Sequence, residues 1–140
     1  MPSSTSQIQD LAELQQWVNA FLEEVKAPSI FAIYGEMGVG KTTTVSMICR
    51  SLGYTFAGSP TFALVQEYRA NDKPTLFHFD LYRVQDLHEL IDMGFQEYLE
   101  QPAIIFIEWP QIAEPFLKQN TRNLRITEIS GIRQISLTNA

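Results

Sequence analysis

The chain is poor in cysteine, poor in basic residues and without a long apolar run. Cys49 is the single cysteine. It excludes an internal disulfide and a cysteine-built zinc site, suits a reducing compartment, and reads as a small buried apolar side chain. Ten Lys+Arg stand against sixteen Asp+Glu, for a formal charge of −6, and the basic residues are scattered. A protein that grips a nucleic-acid backbone alone presents a basic patch, so direct high-affinity RNA or DNA binding is not expected. No apolar stretch approaches the ~20 residues of a membrane span. The opening MPSSTSQIQD has neither the basic nor the apolar region of a secretory signal. The expected location is the cytoplasm, with no membrane partner. What the chain does have is 140 residues, 45% apolar and 19% charged. That predicts one globular domain over residues 1–140, with 1–9 polar and frayed.

One stretch organises the rest. The apolar run Ile30–Tyr34 leads directly into Gly35-Glu36-Met37-Gly38-Val39-Gly40-Lys41-Thr42, followed by Thr43. The octet fits G-x-x-x-x-G-K-[ST], and its context is the required one, a strand before and a helix after. Glycines let the backbone curl so that successive N–H groups form an anion-binding nest, and the helix beginning near Gly40 adds its positive end. In this arrangement Lys41 reaches the β- and γ-phosphates and the Thr42 hydroxyl serves Mg²⁺. The bland alternative is a Gly-rich turn ending in a surface lysine.

The remaining elements follow in order. Asp10 and Glu13 read as a capping box opening an amphipathic helix with Leu11, Leu14, Val18, Phe21, Leu22 and Val25 on one stripe, closed by Pro28. Lys41–Leu52 is the helix after the glycine loop. Phe62–Arg69 and Thr75–Asp80 read as an antiparallel hairpin about the turn 70–74. Asp86 with Glu89 repeats the capping pattern, Gly94 interrupts that helix, and Ala103–Ile107 is a second buried strand. Pro110 suits a short helix, and Leu124–Ile129 with Ile132–Leu137 form a closing hairpin about Ser130-Gly131. The fold class expected is α/β, a P-loop NTPase-like sheet with parallel central strands, antiparallel hairpins and flanking helices.

Ligands in such sheets bind at the carboxyl ends of parallel strands. An apolar strand ending in an acid is the Walker B arrangement. Glu108 fits it best, since the run before it is the more apolar and so the expected neighbour of the glycine-loop strand. Asp80 is the second candidate, as a metal ligand through water or as the group that orients the attacking water. A lone threonine does not hold Mg²⁺, so one of the two carboxylates is needed. Thr61, after Pro60, either reaches the γ-phosphate as switch segments do or is a turn residue. His78 reads as a packed, hydrogen-bonded imidazole, Arg83 as the partner of a nearby acid, and Trp109 as core or as a guard of the site. No N-K-x-D element is present, which favours adenine over guanine. A small-molecule kinase and a nucleotide-gated binding module without turnover stay open as alternatives to an ATPase. No arginine is obviously placed to act on the phosphates in cis.

Four segments, GEMGVGKTT at 35–43, SPTFALVQEY at 59–68, HFDLYR at 78–83 and IEWP at 107–110, occur in an order and spacing that resemble the TsaE (YjeE) family of small bacterial P-loop ATPases. The resemblance runs over nearly the whole chain. It implies an Mg²⁺-dependent ATP-hydrolysing subunit in the making of N6-threonylcarbamoyladenosine at position 37 of tRNA. The implied partners are a TsaD-like transferase and a TsaB-like scaffold, with tRNA met only through that complex. It implies phosphate contacts from Gly38 to Thr43 within a loop that also includes Gly35, Mg²⁺ held by Thr42 and Glu108, and Asp80 in support of hydrolysis. Ser59–Phe62 resembles a switch region. Adenine would lie between the stretch near Ile8–Leu11 and the C-terminal hairpin, with Arg133 a contact. Glu36-Met37 and Val39 differ from the family's common Asp-Leu and Ala at spacer positions, and Gln66 from a common asparagine.

Overall fold

The computed structural model describes residues 4–58, 60 and 64–139. Thr61 and the remainder of the switch-like 59–62 segment, apart from Pro60, lie outside the described residues.

Strand β2 (Ser29–Gly35) is buried along most of its length because its side chains are apolar on both faces, and among the described residues it lies at the middle of a seven-stranded sheet. Helix α1 (Leu11–Phe21) precedes it. The Asp10 side chain accepts from the Glu13 N–H at 2.9 Å, and Leu14, Val18 and Phe21 form the buried stripe. Helix α2 (Lys41–Ser51) follows the glycine loop. The hairpin of β3 (Val65–Tyr68) and β4 (Leu76–Asp80) comes next. Helix α3 (Leu87–Met93) carries the full Asp86–Glu89 capping box and ends at Gly94, where α4 (Phe95–Leu99) begins. Strand β5 (Ile104–Glu108), a 3-10 segment over Pro110–Phe116, and the hairpin of β6 (Arg122–Ile129) and β7 (Ile132–Asn139) complete the chain.

One expectation is corrected at the start. Residues 4–8 are not a frayed polar tail but strand β1 (Ser4–Ile8), paired antiparallel with β7 from Ser4 opposite Leu137 to Ile8 opposite Arg133. Its polar side chains mislead because an edge strand is held by backbone hydrogen bonds and needs few apolar residues. The sheet order is β1-β7-β6-β2-β5-β4-β3, with β6, β2, β5 and β4 parallel and antiparallel strands at both margins. The parallel, antiparallel and helical parts expected from sequence are all present.

Side-chain alternation divides the core in two. Phe31, Ile33, Ile104, Phe106 and Leu76 face α1 and α2, whereas Ile105, Ile107, Phe77 and Phe79 face α3, α4 and the 3-10 segment. Glu108 shares the parity of Ile104 and Phe106, and His78 and Asp80 share that of Leu76. The polar ends of β4 and β5 therefore project to the α2 side, where the glycine loop lies.

Candidate phosphate and metal site

The register brings the strand ends level. Ile33 of β2 is opposite Glu108 of β5, and Asp80 of β4 is opposite Glu108. Between β2 and α2 the chain turns over with Gly38 at φ 79° and Gly40 at φ 105°, a region that L side chains occupy only under strain. Gly35 is required for space instead. A Cβ there would lie 2.8 Å from Cγ1 of Val39 and 2.9 Å from the carbonyl oxygen of Ile126. Val39 is buried and anchors the loop, while the Thr44 N–H and hydroxyl both donate to the Gly40 carbonyl, starting α2.

Lys41 is only 5% exposed. Its ammonium folds back to donate to the carbonyls of Gly35 and Glu36 and sits 4.1 Å from the centre of the Trp109 ring. Burial pulls its pKa below the usual lysine value, against the opposing fields of Glu108, Asp80 and Glu36. Trp109 takes a left-handed backbone conformation at φ 55°, immediately after the acidic strand end, and stacks obliquely on Tyr82. It is neither a plain core tryptophan nor a surface one: it roofs the lysine.

The Thr42 hydroxyl donates to Glu108 at 3.1 Å from Oε1 and 3.2 Å from Oε2. Glu108 is 2% exposed, and its Oε2 also lies 2.6 Å from Nε2 of His78, a residue wholly buried. Asp80 is half-buried and accepts from the Tyr82 N–H. Burial raises its pKa above the ordinary carboxyl range, and the charge of Glu108 adds to that, against the Tyr82 hydrogen bond, His78 and Lys41. A cavity of about 510 Å³ opens here, lined by Gly38, Gly40, Lys41, Thr42, Thr43, Asp80 and Glu108, with Arg83 and Trp109 among its further walls.

Most of the residues singled out in the sequence thus share one cavity. Two contacts depend on the tertiary fold. The Arg133 guanidinium on β7 reaches Gly40, where a Cβ would lie 3.6 Å from its Nε. Since Ile8 is opposite Arg133, the two ends of the chain expected to flank adenine are neighbours beside the loop. The second is the His78–Glu108 contact, whose only sequence signal is a polar residue in an otherwise apolar strand.

The donor set suits a small hard cation. A threonine hydroxyl and two carboxylates are oxygen ligands, and among the described residues no cluster of three or more His, Cys, Asp or Glu forms a complete cage. Mg²⁺ is held in that way, by one or two carboxylates with water and substrate phosphate supplying the rest.

Comparisons with known proteins identify the family. The family model for the threonylcarbamoyl adenosine biosynthesis protein TsaE matches residues 8–135. The tRNA threonylcarbamoyladenosine biosynthesis protein TsaE of Haemophilus influenzae is 31% identical, with 98% of this chain and 90% of that protein covered. The protein of the same name from Borreliella burgdorferi is 40% identical over 67% of this chain and 69% of its own length. That from Bacillus subtilis is 35% identical over 67% of this chain and 58% of its own length. The crystal structure of Bacillus subtilis YdiB superposes with a TM-score of 0.79, covering 99% of this chain and 86% of that one at 23% identity, and so shares the fold. With the family model spanning nearly the whole chain and the glycine loop, acidic strand ends and sheet assembled in one site, the chain belongs to the TsaE family of threonylcarbamoyl adenosine biosynthesis proteins.

Proposed function

We propose that this chain binds and hydrolyses Mg·ATP as the nucleotide-dependent subunit of N6-threonylcarbamoyladenosine formation on tRNA, acting in the cytoplasm with a TsaD-like transferase and a TsaB-like scaffold. The observation that carries the reading is the Thr42 hydroxyl set within hydrogen-bond distance of both Glu108 oxygens, directly beside a buried lysine and a loop turned by Gly38 and Gly40 at positive φ.

The chain's own groups divide the work. The amides of residues 38–43 and the positive end of α2 receive phosphate oxygens. Lys41, now bound to the Gly35 and Glu36 carbonyls, exchanges those weak acceptors for phosphate and recovers a counter-charge for its buried ammonium. Thr42 and Glu108 would hold Mg²⁺, which supplies charge neutralisation at the phosphates when bound. Asp80, one strand away, orients the water that attacks, and its raised pKa gives it basicity for that role. Arg133 holds the nucleotide from the β7 side of Gly40. Trp109 covers Lys41 and keeps bulk water from it. Arg83, exposed at the cavity wall, is not pinned against the phosphate site, so hydrolysis is slow in the isolated chain and faster with partners. No helix among the described residues is long and apolar enough to cross a membrane.

Titration of the purified chain with ATP, with and without Mg²⁺, tests this directly. Saturable, Mg²⁺-dependent binding, lost in Lys41→Ala, and phosphate released to water without an added acceptor are the expected results. Correctly folded protein that takes up no nucleotide refutes the proposal, and release only when a small-molecule acceptor is present replaces it with a kinase.

A further inference from the structure

Strand β4 reads Leu76-Phe77-His78-Phe79, four side chains that are at most 2% exposed, and the histidine alone is polar. A position with only a packing duty in this strand takes leucine or phenylalanine, as its neighbours do. The imidazole is instead aimed along the sheet at the end of the adjacent strand. His78 is opposite Phe106, so Glu108 is its diagonal neighbour, and Nε2 meets Oε2 at 2.6 Å. A carboxylate only accepts, so Nε2 is the protonated nitrogen, and Nδ1 has no hydrogen-bond partner among the described residues. Among the described residues the hydrogen bond to Glu108 is therefore the one that orients the ring. The ring is held from behind by Phe56, whose centroid is 6.2 Å away.

We infer that His78 is a positioning residue: it pins Oε2 of Glu108 so that the carboxylate stays turned to the Thr42 hydroxyl, and thereby sets how strongly nucleotide binding depends on a divalent cation. The inference rests on the proposed Mg-nucleotide reading of the Thr42–Glu108 pair. The physical need is plain. Glu108 has three side-chain torsions and faces the carboxylate of Asp80 across the strand pair, which pushes it away from its place. Thr42 lies in the first turn of α2, directly after the loop proposed to engage a nucleotide, so a second tether from the rigid sheet keeps the carboxylate in register while that site is occupied.

The test is the ratio of ADP dissociation constants without and with Mg²⁺, measured by calorimetry on the full chain, with the melting point recorded alongside. His78→Phe is expected to leave metal-free ADP affinity within about twofold and to cut the Mg²⁺ enhancement by about tenfold or more, in the range found for groups that orient metal ligands. His78→Gln, whose amide N–H occupies the Nε2 position, is expected to recover most of it, and His78→Asn, which reaches only the Nδ1 position, is not. An unchanged ratio in His78→Phe, or equal behaviour of the Gln and Asn variants, overturns the inference while leaving the nucleotide reading intact. If His78→Phe does not fold, the Gln–Asn comparison decides. Wild-type protein whose ADP binding is indifferent to Mg²⁺ overturns both.

Discussion

Glu108 offers the sharpest separation of fold from function. Its carboxylate accepts from the Thr42 hydroxyl and from His78, and the residue is 2% exposed. In Glu108→Gln the amide oxygen still accepts from His78 and the amide N–H₂ turns to Thr42, so both contacts survive with neutral strength. The loss of charge-assisted strength, about 1 kcal/mol, is offset by relief of the repulsion from Asp80. At about 2 cal/mol/K per residue, a chain of 140 residues has an unfolding entropy near 0.3 kcal/mol/K, so about 1 kcal/mol moves the melting point by roughly 3 °C. Glu108→Gln therefore melts within roughly 3 °C of wild type. Glu108→Ala orphans the buried Nε2–H of His78 at a cost of about 1–3 kcal/mol, and melts roughly 3–10 °C lower. Binding removes this contrast. Both variants lose the carboxylate oxygen proposed for Mg²⁺, and both weaken Mg·ATP binding at least tenfold, about 1.4 kcal/mol, while metal-free ATP affinity stays near wild type. Differential scanning calorimetry and isothermal titration on the three proteins give all the numbers. A Glu108→Gln variant with wild-type Mg²⁺ dependence refutes the metal assignment, and a Glu108→Ala variant as stable as Glu108→Gln refutes the hydrogen-bond accounting.

Other consequences follow from the same site. Asp80 has a folded-state pKa above its unfolded one, so its ionisation costs stability as pH rises through the folded value and costs nothing below the unfolded value of about 3.9. Asp80→Asn should accordingly match wild type in thermal stability near pH 3.5 and exceed it increasingly toward neutrality; a constant or falling difference contradicts the assignment. Lys41→Met removes an ammonium whose burial is unfavourable, so Mg·ATP binding disappears while the melting point at pH 7 holds or rises. Gly40→Ala places a side chain at φ 105° and loses about 1–3 kcal/mol, roughly 3–10 °C. Gly35→Ala drives a Cβ into the Ile126 carbonyl of the neighbouring strand and should melt lower still, and a tolerated Gly35→Ala means β2 and β6 are not so close.

Legibility in the sequence tracked how local each feature is. The glycine loop is a contiguous octet between a strand and a helix, so its place in the fold follows from spacing alone. The capping pair Asp86–Glu89 and the hairpin of β3 and β4 follow from residues close in the chain. Strand β6 was legible only as half of a hairpin, because Leu124 and Ile126 alternate with exposed Arg125, the pattern of a one-sided antiparallel strand. Its parallel pairing with β2, Phe31 opposite Arg122, joins residues far apart in sequence and carries no local signature. Strand β1 was unreadable for the related reason that its stabilisation lies in backbone pairing with β7.

The sequence by itself determined the glycine loop, the two acidic strand ends and the α/β class, since each is a matter of residue type at short spacing. Only the tertiary structure decided what those groups meet. Parallel register sets Glu108 level with Asp80 and diagonal to His78, a left-handed residue turns Trp109 over Lys41, and a terminal hairpin carries Arg133 to Gly40. Each of these depends on how strands distant in the chain are aligned, and alignment is fixed by the packing of two whole core faces rather than by any one segment.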